Sequence, residues 1–423
     1  MNASETGTPP KRRTSKALKL ASYAALILGA LIPLSASGFT GMPLSERPAM
    51  LIGNIALWIA GLVLAYRAFV ADKDFPAERK TWQRICFFIT TGSATLLMLG
   101  MTFGFTYHPS IGTSFFGTNF TTVLMITLAV MGVQITPADW KAVVKDAKVV
   151  SLVVLVRWLV MPLTGYCVSF LVFQLFLSPE IAGSLAIGMM LLCTSPPGAA
   201  SNSLTLISKG DLALSVSATT INVLIAPFLQ PLLIKLFVGG TANVDTAGMF
   251  TDLVGFVLAP VVLASVFGAL FPGFVVKIKP VLGPLAVVSL ACVLMGTISK
   301  GAETILANLN VLPYVLAACV IQGLAGLTLG YYLPKYLGFT REQRIASSFE
   351  VGVENAAIAP ALAATYFNPL AIVPAIVYGK TQNILAVTIF VRKFQRENEA
   401  REKAGEVSAA LGSRQAGRTE SRP

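Results

Sequence analysis

Apolar stretches of bilayer-spanning length follow one another from residue 18 to residue 391 and leave little chain for anything else. A transmembrane helix needs about 17–25 predominantly apolar residues. Twelve stretches qualify: 18–39, 49–69, 85–105, 119–136, 149–176, 181–208, 212–236, 252–272, 282–300, 311–333, 345–367 and 371–391. Lipid offers main-chain N–H and C=O groups no partners, so each stretch has to be helical. Only 12% of the residues are charged, about half of the roughly 25% usual in soluble domains. The fold class is therefore an all-α polytopic membrane protein. The ends, 1–17 and 393–423, read as polar tails, with a helical start after Arg392.

The net charge of +12 would suit an acidic polymer if the basic residues formed one solvated face. They do not. With the N-terminus placed in the cytoplasm, 27 of the 32 Lys and Arg residues fall on cytoplasmic segments. The outer segments and their margins hold only Arg47, Lys235 and Lys300, and two more, Arg157 and Lys380, lie within spans. This asymmetry is the positive-inside pattern, and it puts both termini in the cytoplasm. No nucleic-acid partner is expected. The first span, with basic residues before it and Ser35-Ala36-Ser37-Gly38 after it, has features of a signal peptide, but its long apolar run favours a retained helix.

Enzymatic chemistry finds few footholds. The single histidine, His108, stands in an outer loop beside Pro109. Cys86, Cys167, Cys193, Cys292 and Cys319 all sit in apolar runs without a CxxC spacing, so buried small hydrophobes are expected rather than a zinc site or a disulfide framework. Gly379-Lys380-Thr381 lacks the earlier glycine of a phosphate loop, because Pro374 stands there. No enzyme is expected.

Four ionisable residues stand inside spans, away from their ends: Arg157, Glu350, Glu354 and Lys380. An unpaired charge at a helix centre costs about 2.5–3.5 kcal/mol on insertion scales, so such residues pair or line a cavity, and they mark function by default. Two are basic and two acidic, so the set can neutralise itself. Glu350 and Glu354, at i and i+4, share a helix face. Two carboxylates on one face require a cation, a basic side chain or a proton beside them.

Two spans interrupt their own helical pattern. Thr194-Ser195-Pro196-Pro197-Gly198 cannot continue a helix, because tandem prolines remove donors and clash with the preceding turn. Ser201 and Asn202 follow at the start of the next half-helix. The second interruption reads Glu350-Val351-Gly352-Val353-Glu354-Asn355, with Pro360 shortly after. Carbonyls, hydroxyls, amides and carboxylates are hard ligands, suited to sodium more than to zinc or copper. Counted back from the C-terminus in two sets of five spans, each break falls in the fourth. Five is odd, so the sets run in opposite senses, which is the inverted-repeat pattern of secondary transporters. Residues 18–80 then form an added N-terminal helix pair. Gly326 and Gly330 place a GxxxG spacing on the tenth span, suited to close helix packing.

The stretch from about Arg84 to Arg392 resembles the bile acid:sodium symporter family, in its bacterial form. The resemblance rests on Met131-Gly132 with Pro137-Ala138-Asp139, the run Pro196 to Asn202, Lys209-Gly210-Asp211 with Ala213-Leu214-Ser215-Val216, and Glu350-Val351-Gly352 with Asn355. It implies a ten-helix unit over 81–392, with a panel domain (85–136 and 252–300) and a core domain (149–236 and 311–391). The core's two discontinuous helices would cross near the membrane centre.

The resemblance also implies two sodium sites. The first carries over to Ser201, Asn202, Ser215, Thr219 and Glu350, all of the family's residue type. The second, which would also involve Val351 and Val353, departs: Arg157 and Glu354 stand where the family has glutamines. The expectation is that the Arg157 guanidinium takes the second cation's place and pairs with Glu354, and with Glu350 as a further partner. Substrate-side positions are Gly198, Ala199, Asn355 and Asn383, and a threonine of the family pattern is missing at Ala199; Lys380, nearly one turn before Asn383, either offers a cation to an anionic substrate or completes the buried charge network. The implied activity is sodium-coupled uptake of a small organic anion. Proton-coupled or uncoupled transport, and a non-transporting membrane sensor, are the alternatives.

Overall fold

The computed structural model describes residues 119–137, 146–240, 244–355 and 357–401. The spans expected at 18–39, 49–69 and 85–105, together with Cys86, His108 and the first tail, lie outside the described residues. Among the described residues every regular element is helical, and one isolated antiparallel bridge joins Pro197 to Glu354. The helices are α1 (Phe120–Gly132), α2 (Ala147–Val168), α3 (Pro179–Cys193), α4 (Ala199–Ile207), α5 (Leu212–Val238), α6 (Thr246–Leu270), α7 (Pro272–Ala307), α8 (Leu312–Tyr336), α9 (Arg341–Gly352), α10 (Ile358–Tyr366) and α11 (Ile372–Leu385). The last continues without interruption to Arg401. Among the described residues, six helices are long and apolar enough to cross a membrane: Ala147–Gln174, Leu212–Val238, Thr246–Leu270, Pro272–Thr297, Leu309–Tyr336 and Pro369–Arg401. The protein is thus a multi-pass membrane protein.

The expected connection at 273–281 is not a loop. The chain turns at Phe271 (φ −124°, ψ 58°), and Pro272 opens α7 directly. Proline suits a first helical position, since its φ is preset and the missing N–H has no partner there. Lys277 and Lys279 therefore lie on the helix.

The described residues divide into two compact units, 119–134 with 255–307 and 135–254 with 308–401. In the first, Val130 of α1 and Val133 just after it pack with Leu282 of α7. In the second, two apolar clusters flank α9. Ile345, Phe349 and Val353 join Leu204, Leu327, Tyr331, Leu385, Phe390 and Phe394. Ala346 joins Val150, Val153, Leu214, Ala218 and Phe339. With its neighbouring faces committed to apolar contacts, α9 keeps Glu350 for a polar seam.

Local signals explain where these helices start. Thr340 and Gln343 form a capping box on α9, with Gln343 N donating to Thr340 Oγ1 (3.3 Å) and Thr340 N to Gln343 Oε1 (3.0 Å). Asp211 caps α5 by accepting from Leu214 N at 3.0 Å. The GxxxG spacing on α8 does bring helices close. A Cβ on Gly326 would lie 3.0 Å from Gly352 Cα, and one on Gly330 would lie 2.9 Å from Ser347 O.

Candidate functional site

Both interrupted helices break where the prolines and glycines predict. α3 ends at Cys193 and α4 starts at Ala199; α9 ends at Gly352 and α10 starts at Ile358. The breaks meet through the Pro197–Glu354 bridge and through Asn355 N, which donates to Pro196 O at 3.1 Å. Gly198 permits this approach. A Cβ there would stand 3.3 Å from Glu354 O and 3.4 Å from Asn355 Cα.

The five residues expected to form one cation site are gathered around the Glu350 carboxylate. Its Oε1 accepts from Ser201 Oγ (2.6 Å), Ser215 Oγ (2.8 Å) and Thr219 Oγ1 (2.9 Å), and its Oε2 lies 3.0 Å from Thr219 Oγ1. Asn202 Oδ1 is 2.8 Å from Ser215 Oγ and 3.3 Å from Thr219 Oγ1. Ser201, Ser215 and Glu350 are wholly buried. Each hydroxyl has one proton to donate and faces at least two of these oxygens, Gly198 O included. Acceptors therefore outnumber protons, and a hard cation would relieve the excess.

A second centre adjoins the first. The Arg157 guanidinium pairs with the Glu354 carboxylate, and both side chains are buried. Its Nη1 donates to Glu350 O at 2.7 Å, and its Nη2 also donates to Ser195 O. Glu350 thus meets Arg157 through its main-chain carbonyl, while its carboxylate turns to the hydroxyls. The expected carboxylate partnership with Arg157 falls to Glu354 alone. Arg157 Nε and Glu354 Oε1 are left without a hydrogen-bond partner. Val351 and Val353 are buried beside this pair in sequence, Val353 in extended conformation (φ −123°, ψ 110°).

The substrate-side positions are partly brought together. Gly198 and Asn355 sit at the crossing, and Asn355 Oδ1 accepts from Ala357 N at 2.9 Å. Asn383 is exposed on α11, and its Nδ2 donates to Gly379 O at 3.1 Å. The side chains of Ala199 and Lys380 lie outside the described residues. Neither α4 nor α10 has a side-chain cap on its first turn.

Sequence reasoning missed several supports. Gln230 Nε2 donates to Leu191 O (3.1 Å) and Ser195 Oγ (3.2 Å), which braces the first break. Thr205 Oγ1 reaches Ser215 Oγ at 3.3 Å. Trp158 Nε1 donates to Asn222 Oδ1 at 2.8 Å. Tyr378 and Gln382 bond to the second break. All are polar or amphipathic groups on apolar spans, and that was the one available signal. Of the cysteines, Cys193 and Cys319 are buried as expected, whereas Cys167 is exposed.

Long apolar helices and two broken helices that meet at buried carboxylates define a polytopic membrane protein of the transporter class. The profile of the sodium bile acid symporter family matches residues 121–308. An Arabidopsis thaliana protein described as probable sodium/metabolite cotransporter BASS1, chloroplastic, is 30% identical over 326 residues, covering 75% of this chain and 78% of that protein. A Bacillus subtilis protein described as uncharacterized sodium-dependent transporter YocS is 29% identical over 294 residues, covering 69% and 87%. A rice protein described as probable sodium/metabolite cotransporter BASS2, chloroplastic, is 29% identical over 309 residues, covering 72% and 70%. The chain belongs to the sodium bile acid symporter family, whose members are transporters and not enzymes.

Proposed function

We propose that the chain is a secondary transporter coupling the entry of one sodium ion to uptake of a small organic anion by alternating access. One observation carries this reading: the two buried carboxylates have different company. Glu350 faces the oxygen-rich cluster of Ser201, Asn202, Ser215 and Thr219. Glu354 already holds a cation, the guanidinium of Arg157. The first carboxylate is free to take sodium, and the second is occupied by the protein itself. Relatives described as sodium-dependent or sodium/metabolite transporters support the choice of ion.

In this reading sodium binds first and draws α4, α5 and α9 together around Glu350. The anion then binds beside the uncapped N-termini of α4 and α10, where helix dipoles favour negative charge. Gly198, Ala199, Asn355, Lys380 and Asn383 line its site. The core (149–236 and 311–391) then moves against the panel (85–136 and 252–300) within the ten-helix unit 81–392, exposing both ligands to the cytoplasm. The separation of 255–307 from 135–254 and 308–401 supports that division. In this reading the two five-helix repeats are inverted and the protein sits in a bacterial inner membrane with both termini cytoplasmic; the added pair expected from the sequence of 18–80 lies outside the described residues.

Reconstitution of the full chain in proteoliposomes tests the reading. Uptake of organic acids should stop when choline replaces sodium at fixed pH, and its sodium dependence should have a Hill coefficient near one. Unchanged uptake in choline refutes sodium coupling, and a coefficient near two refutes the single ion. A second reading, proton coupling, draws on the partnerless Glu354 Oε1 and Arg157 Nε. It requires uptake in choline driven by an inward proton gradient.

A further inference from the structure

An interruption inside a membrane span frees main-chain groups that neighbouring elements have to satisfy. At the second break, one helix does much of this with two side chains. Tyr378 Oη on α11 donates to Gly352 O at 3.0 Å. Gln382 takes both main-chain groups of Glu354: its Oε1 accepts from Glu354 N at 2.7 Å, and its Nε2 donates to Glu354 O at 3.0 Å. The two side chains stand at i and i+4, on one face of α11. Both are buried, 0% and 2% exposed. The amide of Gln382 thus acts as a strand edge would, holding Glu354 by a pair of bonds. The next residue, Asn355, is tied to the first break through Pro196 O.

We infer that Gln382, assisted by Tyr378, is a positioning residue that transmits the state of the Glu350 oxygen cluster to the last core helix. The geometry supplies each link. Glu350 and Glu354 are joined by only three residues, and the helix ends between them at Gly352. A cation that draws the Glu350 side chain toward α4 and α5 moves this segment. The segment cannot move without α11, because two short bonds from Gln382 and one from Tyr378 grip it. Lys380 and Asn383 lie within one turn of Gln382 on the same helix, so the substrate-side positions follow. This coupling by contact is a path with a named physical link rather than mere proximity. The inference rests on the sodium reading above and adds to it the residue that connects the two ligand sites.

Hydrogen–deuterium exchange on the full chain in lipid nanodiscs, in sodium chloride or choline chloride, tests it. Three proteins are compared: wild type, Gln382→Met (similar length, no amide) and Gln382→Glu (acceptor kept, donor lost). In choline, the 351–355 segment should exchange about 10-fold faster in Gln382→Met, as loss of a hydrogen bond of ordinary strength predicts. Gln382→Glu should fall between Gln382→Met and wild type. Sodium should slow exchange around Glu350 in wild type and in Gln382→Met. It should slow exchange across 376–385 only in wild type. Equal exchange of 351–355 in wild type and Gln382→Met overturns the clamp, and sodium protection of 376–385 surviving in Gln382→Met overturns the transmission. If sodium alters nothing in wild type, the sodium reading and the transmission fail together, and the choline comparison alone decides the clamp.

Discussion

Arg157 and Glu354 stand 197 residues apart in sequence and form an ion pair whose side chains are 1% and 0% exposed. The same guanidinium donates to Ser195 O and Glu350 O, beyond the last turn of α3 and within the last turn of α9. Those are the negative ends of two half-helix dipoles. One side chain therefore answers a carboxylate and two helix ends, a task otherwise suited to a bound cation. The planar fork of Arg allows it; a Lys ammonium lacks that geometry.

Breaking this pair from one side should be far worse than removing it whole. Arg157→Gln leaves Glu354 buried beside no cation, and Glu354→Gln leaves the guanidinium without its counter-charge. Each single change should cost about 3–5 kcal/mol, the range for one partner stranded in a buried pair. The double change should recover much of the loss, because two amides can bond each other in the same space. Thermal unfolding in nanodiscs reads the three differences. The double variant should also raise the sodium Hill coefficient above that of wild type, because the resident cation is gone. A double variant no more stable than the worse single would contradict the pairing.

The Glu350 cluster makes a graded prediction. Ser201→Ala, Ser215→Ala and Thr219→Val each remove one hydroxyl facing the carboxylate. Loss of one polar partner in a buried site is worth about 1–3 kcal/mol, so the sodium concentration for half-maximal stabilisation should rise roughly 5- to 150-fold. Glu350→Gln removes the charge itself and should abolish sodium-dependent stabilisation at any attainable concentration. Thermal shift against sodium, with choline holding ionic strength constant, distinguishes these grades. A Glu350→Gln protein still stabilised by sodium would place the ion elsewhere.

Much of this site could be read before the fold. Pro196-Pro197-Gly198 and Gly352 announce the breaks because backbone chemistry forbids an uninterrupted helix there. Ser215 and Thr219, at i and i+4, share a face by helix geometry alone; the cost of lone charges in lipid shows that Arg157, Lys380, Glu350 and Glu354 need partners, and the particular pairing of Arg157 with Glu354 is what the family resemblance implies. Gln382 and Tyr378 could not be read, because a side chain bonding a distant main chain leaves no period in sequence. The helical start at Pro272 was hidden for a different reason. Lys277 and Lys279 suggested a solvated connection, yet lysines on the first turns of a helix satisfy the same charge rule.

Small residues offer a contrast with an internal control. A Cβ on Gly352 would lie 2.6 Å from Leu327 N and from Leu327 Cγ, so α8 and α9 would have to separate at the second break. Gly352→Ala should therefore destabilise by about 1–3 kcal/mol or more, as overpacking does, and should lower uptake as well. A Cβ on Gly183 in α3 meets nothing within 4 Å. Gly183→Ala should be neutral or stabilising by up to about 1 kcal/mol, the difference in helix propensity. Melting temperatures of the pair, measured side by side, check both signs.

The last prediction concerns the ends of α4 and α9 that point away from the breaks. Arg341, the first residue of α9, donates from Nη1 to Asn398 Oδ1 (2.7 Å) and from Nη2 to Phe394 O (3.2 Å) and Glu397 Oε2 (3.0 Å). Asn398 Nδ2 in turn donates to Ser208 O, at the end of α4, at 3.1 Å. Asp211 N donates to Glu342 O at 3.0 Å, joining the start of α5 to α9 directly. The extension of α11 thus fastens α4 to α9 one helix length from Glu350. The Arg341–Glu397 pair is partly exposed, 13% and 37%, so its loss should affect global stability little. Its effect should be local: Arg341→Ala should release 394–401 and speed proteolysis and amide exchange there. Melting temperature should change by only a few degrees. Arg341→Glu with Glu397→Arg should restore protection partly, since the ion pair returns while the bonds to Asn398 and Phe394 O do not. Unchanged exchange at 394–401 in Arg341→Ala would show that apolar contacts of Phe390 and Phe394 hold the extension on their own.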